Sequence, residues 1–159
     1  MQRNGFTLVE LVMVVAVAAI LFSLATMQFR RMNTKALIEQ QVRIMTGDLT
    51  QARTQALFKK KDVAVKITAN ALAVYSSAVV TPTPVLNRTL RYSVSTGGTT
   101  DPLIFTTRGI IDGITNASIC IEPSTNEGAI DSILLSTTRI HTGKRNAGTS
   151  CDSANIVIQ

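Results

Sequence analysis

Glu10 stands in a stretch that otherwise suits a lipid bilayer. Gly5-Phe6-Thr7-Leu8-Val9-Glu10 runs directly into Leu11-Val12-Met13-Val14-Val15-Ala16-Val17-Ala18-Ala19-Ile20-Leu21-Phe22. An acid at the centre of a membrane helix costs about 2.5–3.5 kcal/mol on insertion scales, so an intramembrane carboxylate is by default a functional residue with a partner. A cut between Gly5 and Phe6 would create one, an α-amino group four residues before Glu10 at the N-terminus of the same helix. The chemistry implied is proteolysis that lets an ammonium and a carboxylate neutralise each other. A plain signal anchor has the same hydropathy but gives no reason for Glu10. A secretory signal peptide cut at Ala16-Val17-Ala18 would carry an acid in its apolar region, which makes it a poor one.

The elements that must position these residues follow from patterning. Residues 6–29 are long enough to span the hydrocarbon layer, which takes about 20 mostly apolar residues, and Arg30, Arg31 and Lys35 belong at the interface. Ile38, Val42, Met45, Leu49, Ala52 and Ala56 then recur at alternating spacings of four and three, an amphipathic stripe. One helix is therefore expected from Phe6 to about Phe58, roughly 80 Å at 1.5 Å per residue, weakened locally at Thr46-Gly47. The stripe reads as a face packed on the chain's own sheet in preference to a seam for a partner helix. Lys59-Lys60-Lys61-Asp62 ends it, where the macrodipole favours cations.

Period-two patterning takes over beyond that point. Strands are expected at 63–68 and 71–75, joined through Ala69-Asn70 as a hairpin. A single strand is expected from Leu86 to Val94, with Leu90, Tyr92 and Val94 on one face. Thr81-Pro82-Thr83-Pro84 and Thr96 to Pro102 read as turns. Further strands are expected at 103–106, 117–122, 130–136, 139–141 and 154–158. The fold class is α+β, a long N-terminal helix on antiparallel sheet. The chain divides into a head at 1–5, an apolar helix at 6–29, an amphipathic continuation at 30–60 and a β-rich domain at 61–159. At 159 residues there is room for one globular unit.

Met1 to Glu10, with Arg3, Gly5 and Phe6-Thr7-Leu8-Val9-Glu10, resembles the class III leader of type IV prepilins and pseudopilins. That resemblance implies cleavage after Gly5 by a prepilin peptidase, methylation of the Phe6 nitrogen, and a role for Glu10 in placing subunits in a filament. The rest of the chain resembles the GspH/FimT minor pilins and pseudopilins. The likeness is carried by the Ala-Arg pattern of Leu49 to Ala56, by Phe105-Thr106-Thr107-Arg108-Gly109, and by Ile133 to Lys144. It implies the pilin fold and a structural role in a type IV pilus or a type II secretion pseudopilus. The partners implied are the peptidase, other subunits through the N-terminal helix, and an inner-membrane assembly platform. It also implies a single pass through the bacterial inner membrane, with the domain in the periplasm. The positive-inside rule applied to Arg30, Arg31 and Lys35 against Arg3 alone points the other way. The leader, read by a dedicated peptidase, takes precedence.

Where that family often has Gly-Arg-x-Arg, a region that binds DNA in some members, this chain has Thr138-Arg139-Ile140-His141. Arg139, His141, Lys144 and Arg145 are thus candidate DNA contacts, giving an alternative function in DNA uptake during natural transformation. Losing Arg3 with the leader lowers the formal charge from +6 to +5, and clustered cations engage phosphates without regard to sequence. Against this, no aromatic interleaves the segment. Cys120 and Cys151 are the only cysteines. An even count in an exported domain favours a disulfide, with free buried thiols as the alternative. His141 is the only histidine, and no metal-ligand spacing, nucleophile motif or phosphate-binding glycine loop is present, so neither catalysis nor a cofactor is expected.

Overall fold

The computed structural model describes residues 7–80 and 83–159. The chain forms two units, Met1–Thr34 and Lys35–Gln159. Helix α1, Leu8–Lys59, contributes to both. No glycine or proline interrupts Leu8 to Thr46, so nothing in that stretch breaks the hydrogen-bond ladder.

In the first unit the apolar side chains of α1 face outward, with Leu11, Val14, Val17 and Leu21 all exposed. The segment is long and apolar enough to cross a membrane. Two of its hydroxyls are satisfied by the helix itself. Ser23 Oγ donates to the Ile20 carbonyl at 2.7 Å, and Thr26 Oγ1 donates to the Ser23 carbonyl at 2.9 Å. That arrangement suits a solvent that offers no hydrogen bonds.

In the second unit the stripe is buried in full. Ile38, Val42, Met45, Leu49, Ala52 and Ala56 are each at most 2% exposed and share one apolar core with the strands. Strands β1 (Val63–Thr68), β2 (Ala71–Tyr75), β3 (Leu86–Thr89) and β5 (Leu103–Phe105) form a sheet in the order β3-β2-β1-β5. A second sheet runs β4-β6-β7-β8-β9, from β4 (Val94–Gly97), β6 (Asn116–Ile121), β7 (Ser132–Ser136), β8 (Ile140–Arg145) and β9 (Ile156–Ile158). Every pairing is antiparallel. The β1–β2 register pairs Thr68 with Ala71, so Ala69-Asn70 is the hairpin loop.

Several expectations need correction. The strand expected at 154–158 opens as a 3-10 turn at Ser153–Asn155 and extends only over Ile156–Ile158, and the turn expected from Thr96 to Pro102 begins inside β4. Residues 86–94 are not one strand: β3 and β4 belong to different sheets, and residues 90–93 cross between them. The crossing is held from α1. Gln41 Nε2 donates to the Tyr92 carbonyl at 2.8 Å while its Oε1 accepts from the Tyr92 amide at 2.9 Å. A side chain fifty-one residues away thus replaces the ladder bonds a continuous strand would need. The strand expected at 139–141 continues to Arg145. Its partner β7 begins at Ser132, because the Asp131 carboxylate takes the Arg145 amide at 2.8 Å.

Cys120 and Cys151 form a disulfide with Cα atoms 5.8 Å apart. It fastens the irregular segment after β8 across β4 and β6. Ser118 Oγ donates to the Cys151 carbonyl at 3.2 Å. At Gly97 a Cβ would lie 1.8 Å from that same carbonyl oxygen, so only glycine admits the crossing.

Candidate assembly site and C-terminal basic segment

The N-terminal site is built on the first turn of α1. Thr7 precedes the helix and caps it, its Oγ1 accepting from the Glu10 amide at 3.3 Å while its carbonyl accepts from the Leu11 amide at 3.2 Å. Thr7 and Glu10 occupy the first and last places of a Ser/Thr-x-x-Glu capping motif. The sequence reasoning passed over Thr7 as a capping residue, and that spacing would have found it. Glu10 also lies where an acid meets the positive end of the helix dipole. It is exposed, with Leu8 at 80% and Val9 at 63% beside it. Gly5 and Phe6 lie outside the described residues.

The four C-terminal candidates are not gathered into one exposed patch. Arg139 is exposed and His141 half-buried. Lys144 Nζ donates to Asp131 Oδ2 at 2.6 Å and to the Asn126 carbonyl at 3.0 Å, and the Asp131 side chain is wholly buried. Arg145 is 2% exposed. Its Nη1 donates to Glu122 Oε1 at 2.9 Å and its Nη2 to the Ile121 carbonyl at 2.8 Å, while Nε has no partner among the described residues. Ser95 Oγ donates to the same Glu122 oxygen at 2.6 Å. Glu122 is held below the usual carboxylate range, chiefly by the Arg145 hydrogen bond, with Ser95 helping and partial burial opposing. Lys144 and Arg145 therefore work as internal counter-ions that tie β8 to β6 and to the start of β7.

A second ion pair fixes α1 to β3. Arg88 Nε and Nη2 grip the two Asp48 oxygens at 2.5 and 3.0 Å. That grip raises the Arg88 pKa above its ordinary value. At Phe105-Thr106-Thr107-Arg108-Gly109, Phe105 is fully buried and Gly109 has φ of 71°. A Cβ at Gly109 would lie 2.8 Å from Leu57 Cγ, so the turn closes against the helix only because that residue is glycine. Among the described residues no three metal-ligating side chains come together.

Residues 1–26 match the family model described as the prokaryotic N-terminal methylation motif. No curated protein is significantly similar to the chain. Among solved structures, the type IV minor pilin FimU of Pseudomonas aeruginosa is similar in two crystal forms. One form is 14% identical with a TM-score of 0.53, covering 80% of this chain and 95% of that one. The other is 13% identical with a TM-score of 0.50, covering 75% and 97%. A prokaryotic N-terminal methylation motif thus leads into the apolar helix, and the domain beyond it has the fold of a type IV minor pilin.

Proposed function

We propose that the chain is a minor pilin, cleaved after Gly5, methylated on Phe6, held in the inner membrane with its domain in the periplasm, and then built into a filament. The observation that carries this reading is the first half of α1. A capped helix presents unburied apolar side chains along its described length with one acid in its first turn. Such a surface is stable in lipid, and on leaving lipid it needs neighbouring helices of the same kind. In that setting Glu10 neutralises the Phe6 amine and selects the axial register. The peptidase and an assembly platform are the partners this requires.

A type IV pilus is favoured over a type II secretion pseudopilus because the similar structures are of a type IV minor pilin. The Cys120–Cys151 disulfide favours an oxidising compartment and so the periplasmic side. The role is structural, not catalytic. DNA uptake through Arg139, His141, Lys144 and Arg145 is less favoured, since Lys144 and Arg145 are already engaged inside the domain.

The test is direct. N-terminal sequencing of the native product should begin at methylated Phe6. Glu10→Ala should insert into the membrane normally and be lost from sheared filaments. A product starting elsewhere, or normal incorporation of the variant, would overturn the reading.

A further inference from the structure

The end of α1 distal to the methylation motif carries a surface that the filament reading does not use. Phe58 is 84% exposed, the most exposed large apolar side chain described in the second unit. Lys59, Lys60 and Lys61 follow it and are all exposed. The turn after β5 adds exposed Arg108 to the same place. The Thr107 amide donates to Asp62 Oδ1 at 3.0 Å, and Gly109 packs on Leu57. Among the described residues none of these four cations is paired with a carboxylate. Lys60 has φ of 52°, the left-handed position after a helix where glycine is the usual occupant. A lysine is therefore kept where the backbone disfavours it, and strain of that kind points to use.

We infer that this tip is a binding site for single-stranded nucleic acid, with Phe58 as the stacking surface and Lys59, Lys60, Lys61 and Arg108 as phosphate contacts. Cations alone would serve any polyanion. An aromatic ring set among them adds a preference for unpaired bases, whose faces are free to stack, over duplexes, whose faces are covered. The site is separate from the segment 139–145 and does not depend on whether the chain enters a filament.

The experiment uses the full chain in nonionic detergent and a labelled oligothymidylate, followed by fluorescence anisotropy. Phe58→Ala should weaken binding roughly 5- to 150-fold for each base it stacks. Replacing all four cations with Gln should flatten the plot of log affinity against log salt by about 0.7 for each phosphate no longer engaged. The chain has no tryptophan, so Phe58→Trp creates a sole reporter whose emission should fall on adding the oligonucleotide and stay unchanged with heparin. Lys60→Gly should melt higher than the parent yet bind less tightly, which separates a missing phosphate partner from a damaged fold. Absence of binding, or Phe58→Ala affinity equal to the parent's, would overturn the inference. So would heparin or duplex DNA binding as tightly and quenching the Phe58→Trp variant to the same extent.

Discussion

The first unit and the hairpin region around Asp131 solve opposite problems, and only one of them solves it internally. Around Asp131, charges have been taken into the core, and each finds a counter-charge in the same chain: Asp131 with Lys144, Arg145 with Glu122. Along Leu8 to Thr34, apolar side chains remain in the open, since a single helix has no layer of its own to bury them. The domain is complete as it stands, whereas the apolar helix needs a different solvent or other molecules. Two halves of one helix thus carry different obligations.

The largest test of that contrast is Asp131→Ala. It leaves the buried Arg145 amide without its acceptor and the Lys144 ammonium with only Asn126 in place of its counter-charge, and should cost up to about 3–5 kcal/mol of domain stability, measurable by chemical denaturation. Next comes a matched pair on α1. Leu49→Ala, at a fully buried position, should lower domain stability by about 2–5 kcal/mol. Val14→Ala, at a position 59% exposed, should change it by less than about 0.5 kcal/mol. Equal effects in the two halves would break the comparison. The smallest effect concerns acid. Since the Glu122 pKa is depressed in the fold, its contribution is present above the ordinary value of 4.5 and is lost as pH falls through the depressed value. Melting temperature followed downward in pH should therefore fall less steeply in Glu122→Gln than in the parent.

Much of this was legible because the signals were local or periodic. The stripe from Ile38 to Ala56 is determined by α-helical spacing alone, and all six of its members are buried. The first hairpin follows from two alternating runs with a short gap. The crossing at residues 90–93 was not legible. Leu90, Tyr92 and Val94 alternate as a strand would, and the group that diverts them, Gln41, lies far away in sequence. Arg145 was misleading for a related reason. A cation late in a chain reads as solvated until its partner is known, and Glu122 and the Ile121 carbonyl lie on another strand. Asp131, lying next to an otherwise apolar strand, was the available clue that a buried counter-ion was needed.

The disulfide joins β6 to the segment before β9, so it encloses residues 120–151 and leaves α1 outside the loop. A mechanical load entering through the helix would therefore reach the sheets first through the apolar stripe, the Gln41 clamp on Tyr92 and the Asp48–Arg88 grip. Those contacts would be sheared while the covalent staple carried little of the tension. In a stretched fibre, the weak link of each subunit would be the seam between rod and sheet.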